Sequence, residues 1–537
     1  VPGIFLSENF TLSNTGSHTF SYQVRVNRAT TVASNEIGFL LTGASQPQFL
    51  TITREPLPET SALIDPTSLL RTPGVDLSLP AVQDILATSQ EQVAAIGADG
   101  VTEVVVRIPA DFKGQSFTFQ VFNEKHRRST SVAEDGGLAA VGSSSFSNSV
   151  TILAVDTDSA GPTVFFLYKS PQDFPRSPVG RDDSKAARTI FIQQDCDCDS
   201  TFALQVLRPP VVLVHGLWSE PATWDSFSPL IKDIHFDIDR VALNRLVGSQ
   251  ILSSNPAYSD SVLQKATSDA LGVTYNAQQL DTQLSMFLDW FRSGKNRAGV
   301  RAAATQVDVV AHSMGGIVAR AAVFDSGFYS AENFNQGKIH KLITIGSPHF
   351  GSPLASRLLE DGSFCVRNLL AKRGNLSFET ANLSGTQMTG AVGDMKGNGL
   401  GGQLSQILGN LANFTGSPLR TAMIAGLADL QALGSGNLIT SFIQARCNDL
   451  LAPELNAEGW ENIFNEDNDG LVSQTSQLAG TTGFVFSPFT HSDSLLLLGF
   501  SRPFELQGNT DISQKVIVLL NTPISSADFV PLPNLPQ

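Results

Sequence analysis

Charge is scarce in this sequence. Only 16% of its 537 residues are Asp, Glu, Lys or Arg, while 42% are apolar, so the chain can build real cores. That balance excludes disorder as its main theme. Basic residues are the scarcer charge, 35 against 50 acidic, for a net charge of −15. Such a chain does not hold phosphate backbones by bulk electrostatics, so no nucleic-acid partner is expected. Anionic membrane surfaces would repel it as well. No apolar run reaches the roughly eighteen residues of a spanning helix, so no transmembrane segment is expected. Tryptophan is absent before Trp218, and the first 200 positions hold only Tyr22 and Tyr168 of the tyrosines. That disfavours sugar stacking there and leaves the partner of the N-terminal region unassigned.

Cysteine is also rare. The four are Cys196, Cys198, Cys365 and Cys447, and four allow three pairings. A Cys365–Cys447 bridge suits an oxidising compartment. Four free thiols are equally compatible with the sequence. Cys196 and Cys198 could touch a metal, but two ligands do not make a site. The chain begins at Val1, as a trimmed secretory form would. The expected location is therefore outside the cytoplasm.

At about 150 residues per domain, the length suggests one large domain with one or two smaller ones. Residues 1–170 read as β. Alternation at 20–27, 104–108 and 117–121 marks strands with one buried face, and 148–155 and 163–169 are further strands. Short strands split by Gly, Ser and Pro suggest a sandwich. Val82, Ile85, Leu86 and Val93 predict a helix over 80–96. Residues 171–204, rich in Pro, Arg, Asp and Ser, read as a linker or long loop. The pattern then changes. Val211–Val214, Val307–Ala311 and Leu342–Ile345 are continuous apolar runs, the mark of strands buried on both faces. Leu280, Leu284, Phe287, Leu288 and Phe291 share one helix face between them. Buried strands alternating with helices predict a parallel α/β sheet over 205–537.

The chemistry centres on Ala311-His312-Ser313-Met314-Gly315-Gly316. A strand, a sharp turn of small residues and a helix make a nucleophile elbow, which lifts a serine hydroxyl from the end of the sheet. Ala311 stands where glycine is usual. A serine merely capping the helix is the plainer reading, and the strand–turn–helix context favours the nucleophile. In this fold class the order is serine, acid, histidine. His340, His349 and His491 follow Ser313. His340 and His349 bracket the next strand, leaving no room for an acid loop, so His491 is the base by elimination. Asp467 and Asp469 both lie in the intervening Asn465-Glu-Asp-Asn-Asp-Gly470 turn. A carboxylate there could orient the imidazole. The same turn resembles the start of an EF-hand, but Ser476 occupies the position that needs Glu. The N–H groups of Met314 and of Leu217, after His215-Gly216, are placed to stabilise an oxyanion. His215 and His312 read as structural.

Together, His215-Gly216-Leu217, Ala311-His312-Ser313-Met314-Gly315, Gly346-Ser-Pro-His349-Phe-Gly351, Asn468-Asp469-Gly470 and His491 resemble the α/β-hydrolase lipases. The likeness is closest to bacterial triacylglycerol lipases, over about 205–522. It implies Asp469 rather than Asp467 as the acid. Asp493 resembles a calcium ligand of that family, which implies a structural calcium. The second aspartate of that site has no identified counterpart here, and the family's cysteine near Val472 is missing. Catalysis would need no cofactor and no metal.

The insertion over about 358–450 holds Leu400, Leu404, Ile407, Leu408 and Leu411 at helical spacing behind Gly399, Gly401 and Gly402. A glycine-hinged apolar helix suggests a lid, or a static cap. An apolar roof favours apolar acyl esters, reached at a lipid–water interface if the lid opens. The expected activity is carboxylic-ester hydrolysis by a lipase or esterase through an acyl-enzyme. Acyl transfer or amide cleavage by the same residues is the second reading. A binding or adhesion protein with an inactive hydrolase domain is the third.

Overall fold

The computed structural model describes residues 36–41, 48–53, 61–72, 75–174, 187–195, 201–217, 219–243, 272–360, 391–396, 419–428, 466–491 and 503–532. The strand expected at 20–27, the four cysteines, Asp493 and the lid helix around 400–411 lie outside those residues. By compactness the chain divides into 1–53 and 54–537. In the first unit, β1 (Glu36–Leu41) and β2 (Gln48–Thr53) form an antiparallel hairpin.

The second unit opens with β3 (Ala62–Ile64), helix α1 (Pro80–Thr88), β4 (Ala95–Gly97), β5 (Glu103–Pro109) and β6 (Ser116–Phe122). Next come β7 (Gly137–Ala140), β8 (Ser149–Leu153), β9 (Val155–Thr157), β10 (Gly161–Lys169), β11 (Ala187–Gln194) and β12 (Thr201–Leu207). One antiparallel sheet runs β3-β5-β10-β7, with β9 on β10. A second runs β4-β12-β11-β6-β8 and continues past β4 to β15 (Ala302–Ala303). Their facing side chains share one core: Val104, Val106 and Phe166 from the first, Phe119, Ile192 and Val206 from the second. Burying each such side chain contributes about 1.5–3 kcal/mol.

Two expectations change here. The helix ends at Thr88, and Ala95–Gly97 forms a fully buried strand parallel to β12 and β15. Val93 therefore joins the sheet core, and Ile85 is 51% exposed. The segment 171–204 also contains β11 and the start of β12. In β11, Arg188, Ile190 and Ile192 point inward, and buried Arg188 is paired with Asp135 at 3.0 Å. A paired inward arginine looks like a surface residue in sequence, which hides the alternation.

The third sheet carries the site. Its strands are β13 (Val211–Val214), β14 (Ile238–Arg240), β16 (Val307–His312), β17 (Ile339–Ile345), β18 (Arg420–Gly426) and β19 (Phe484–Phe486). They lie in the order β14-β13-β16-β17-β18-β19, all parallel. Among the described residues, only β20 (Val530–Pro531) runs antiparallel in this sheet, beside β18. On one face, helices α2 (Val273–Trp290) and α3 (Met314–Ala321) bury Leu280, Leu284, Phe287, Leu288 and Ile317. On the other, α4 (Asp511–Asn521) packs Ile512, Val516 and Leu519 with Trp224 and Phe227. This is a parallel sheet with helices on both faces. Among the described residues no helix is long and apolar enough to cross a membrane.

Candidate active site

Parallel α/β sheets present their chemistry at the carboxyl ends of their strands, and the singled-out residues gather there. Ser313 joins β16 directly to α3. Its φ of +55° and ψ of −132° are forced for a residue with a side chain, a strain of about 1–3 kcal/mol that the packed strand and helix must sustain. The turn leaves Ser313 half-buried between the buried His312 and Met314. Gly216 stands against it: a Cβ there would lie 2.5 Å from the Ser313 Cβ. The loop after β13 can approach the serine only with glycine at that point.

His491 reaches the serine from the loop beyond β19. Its Nε2 is 2.8 Å from Ser313 Oγ, and its Nδ1 is 2.7 Å from Asp469 Oδ2. A carboxylate only accepts, so Nδ1 carries the proton and Nε2 is free to accept from the serine hydroxyl. Asp469 is fully buried. Its Oδ1 accepts the N–H groups of Leu471 at 2.8 Å and Val472 at 2.7 Å. Gly470, at φ +100°, bends the chain so that both amides face the carboxylate. The turn is tied to the end of β18 through Ala428 N–H to Asn468 C=O. Three donors therefore converge on this carboxylate. Asp467 makes no comparable approach: its carbonyl accepts Gln474 N–H instead.

The other histidines are placed elsewhere. His340 bonds Asp308 at 2.8 Å and the Gln172 carbonyl at 3.0 Å. His349 lies between Arg320 and Thr344, and burial holds it well below the usual histidine range. His215 donates from Nδ1 to the Gly216 carbonyl and accepts Leu243 N–H at Nε2. Burial lowers it to about 4, so it is neutral and pins the Gly216–Leu217 loop. Met314 is the first residue of α3, where an N–H has no carbonyl to bond within the helix. The helix dipole adds to its pull on a negative oxygen.

One buried residue was not singled out by the sequence. Glu505 places Oε2 3.0 Å from His312 Nε2 and 3.5 Å from His491 Nδ1. Its only sequence signal is an acid set between Phe504 and Leu506. His312, His491 and Glu505 offer ligand atoms within 4.8 Å of one another. Both nitrogens of His491 are already engaged by Ser313 and Asp469, so a metal there would displace one of those bonds. A cavity of about 640 Å³ lies far from this chemistry, against Gln306, Ile339 and Arg420 at the amino ends of β16, β17 and β18.

Residues 206–363 match the family of PGAP1-like alpha/beta domains. The match spans β13, β16, β17 and the elbow at Ser313, and it stops before Asp469 and His491. This part of the chain is similar to an α/β domain of that family. That is broader than the bacterial triacylglycerol lipases that the motifs resemble. No curated protein matches the chain. Among solved structures, the mature form of Bacillus licheniformis lipase BlEst2 is similar at 15% identity, over 58% of this chain and 91% of that one, with a TM-score of 0.33. Its propeptide form is similar at 15% identity, over 58% of this chain and 50% of that one, with a TM-score of 0.35. A carbohydrate acetylesterase from Xanthomonas citri is similar at 11% identity over 47% of this chain and 59% of that one, with a TM-score of 0.15.

Proposed function

We propose that this protein is a serine hydrolase of carboxylic esters, a lipase or esterase acting through an acyl-enzyme. The observation that carries the reading is the unbroken relay Ser313 Oγ–His491–Asp469, with links of 2.8 and 2.7 Å. His491 Nε2 takes the hydroxyl proton as Ser313 Oγ attacks the ester carbonyl carbon. Charge gathers on the former carbonyl oxygen, which the N–H groups of Leu217 and Met314 stabilise. Asp469 stabilises the imidazolium. The carbon–oxygen bond to the alcohol breaks, and His491 returns its proton to that oxygen. Water then attacks the acyl-enzyme, gives a proton to His491, and frees the acid and the serine. No cofactor enters these steps.

The substrate is an apolar acyl ester, of the kind bacterial triacylglycerol lipases take. The expected insertion over about 358–450 contains β18 (Arg420–Gly426), a strand of the sheet itself, so only the segment before that strand serves as its lid, and the protein works outside the cytoplasm, at a lipid–water interface. The test is kcat/KM on p-nitrophenyl esters of rising chain length, with and without an oil–water interface, for wild type and Ser313→Ala. The variant should lose about 10⁴-fold or more. Long-chain preference that grows at the interface supports a lidded lipase, and activity limited to short soluble esters removes the lid from the reading. Equal rates in both proteins would mean a different nucleophile. Failure of a fluorophosphonate to label folded wild type would favour a binding protein, and ester exchange with an added alcohol would favour acyl transfer.

A further inference from the structure

A fourth ionisable group stands against the proposed relay. Glu505 is fully buried; its Oε2 lies 3.5 Å from the same His491 Nδ1 that Asp469 Oδ2 reaches at 2.7 Å, and 3.0 Å from His312 Nε2, which sets the two carboxyls side by side. The space is built by backbone: a Cβ at Gly346, at the end of β17, or at Gly426, at the end of β18, would overlap the Glu505 carboxyl. Glu505 N–H donates to the carbonyl of Thr490, the residue before His491, at 2.9 Å. The acid and the base loop are therefore held as one piece.

Two carboxyls in contact hydrogen-bond only when one of them carries a proton. Their other partners decide which. Asp469 receives Leu471 N–H, Val472 N–H and His491 Nδ1–H. Glu505 Oε1 is buried with no hydrogen-bond partner; the adjacent Gly426 N–H, bonded to Gln477 at 2.9 Å, lowers the Glu505 carboxyl less than burial and the Asp469 charge raise it. The proton therefore belongs on Glu505. Burial first, then the Asp469 charge, pushes the Glu505 carboxyl well above its ordinary range. The titratable groups facing it are Asp469, His491 and His312, with His215 beyond His312. Burial, reinforced by His491, holds His312 well below the usual histidine range, so it adds no positive charge.

We infer that Glu505 is a positioning residue of this site: as a neutral acid it donates a hydrogen bond to the Asp469 carboxylate and keeps that carboxylate turned to His491 Nδ1. His312 Nε2–H can at the same time donate into Glu505 Oε2, which closes the chain from behind. The inference rests on the Ser313–His491–Asp469 reading, and its test separates the two.

Glu505→Ala, Glu505→Gln and Asp469→Asn are compared with wild type by kcat and KM on a short p-nitrophenyl ester from about pH 5 to 10. The rate of fluorophosphonate labelling is measured in parallel. Loss of one hydrogen bond to a charged group predicts that Glu505→Ala lowers kcat about 10- to 100-fold, with KM little changed. Gln keeps an N–H donor and should restore most of that loss. Wild type should lose kcat at high pH as Glu505 ionises beside Asp469, and the Gln variant should hold its rate to higher pH. Equal activity of the Ala variant and wild type overturns the inference. So does a Gln variant as poor as Ala, which would mean that a charge is needed rather than a donor. If Glu505→Ala does not fold, an unchanged alkaline limb in the Gln variant overturns it. An active Asp469→Asn would instead bring down the relay itself, as would a wild type that neither turns over nor labels, and the inference would fall with it.

Discussion

The turn at 466–473 and the segment at 503–506 each bring a carboxyl to His491, and the two are treated in opposite ways. Asp469 and Glu505 are equally buried. Asp469 is wrapped by two backbone amides and an imidazole N–H, while Glu505 Oε1 has no hydrogen-bond partner and the Gly426 N–H beside it is bonded to Gln477. Burial drives Glu505 towards the neutral acid. The donors converge on Asp469 instead, beside the imidazole. A buried acid is therefore read from what points at its oxygens, not from its depth.

The comparison is broken most severely by Asp469→Asn. The amide keeps the shape but can present an N–H to Nδ1, which favours the wrong tautomer of His491. A loss of about 10⁴-fold in kcat is expected, the size seen when a triad acid becomes an amide in a serine protease. A loss under about tenfold would mean that Glu505, or another group, carries the negative charge.

A smaller effect is expected from Gly426→Ala, which intrudes on the Glu505 side only. The new Cβ would overlap the Glu505 carboxyl, and overpacking of this kind costs about 1–3 kcal/mol. Urea unfolding would measure it. In the double variant with Glu505→Ala the carboxyl is gone and the space is free, so the two changes should not add. Strict additivity would show that Gly426 does not shape the Glu505 cradle.

The two halves of the site also differ in how far the sequence exposes them. The elbow is local: Val307–Gly316 dictates strand, turn and helix by the size and periodicity of adjacent residues, so Ser313 stands out in one line of text. The acid side is assembled from separate loops. Nothing in the residue types chose between Asp467 and Asp469. Only the likeness of Asn468-Asp469-Gly470 to a family motif did, and its physical reason is the Gly470 bend that turns two amides onto Asp469. Glu505 was invisible because its cradle comes from the ends of β17 and β18. Neither Gly346 nor Gly426 signals in sequence that a carboxyl will fill the space above it. The β layers show the same limit. Alternation exposed β5 and β6, whereas β11 was hidden by inward-facing Arg188, whose partner Asp135 is distant in sequence.

A third buried carboxyl sharpens the comparison at the smallest scale. Asp394 accepts Val273 N–H at 2.7 Å, at the start of α2. That bond lowers it, but burial dominates and raises it to about 8. An unfolded aspartate titrates near about 3.9. Between these values the folded chain keeps a proton that the unfolded chain has lost. Its stabilising contribution is therefore fully present below about pH 4 and is lost as pH rises through about 8. Asn at 394 does not titrate, and its Oδ1 can still accept Val273 N–H. The melting temperature of Asp394→Asn, measured against wild type, should rise between about pH 4 and pH 9, by roughly 5 °C. A difference that stays flat with pH would mean that Asp394 is already ionised in the fold. The Val273 amide, with whatever else faces that carboxyl, would then outweigh burial, and Asp394 would belong with Asp469 rather than with Glu505.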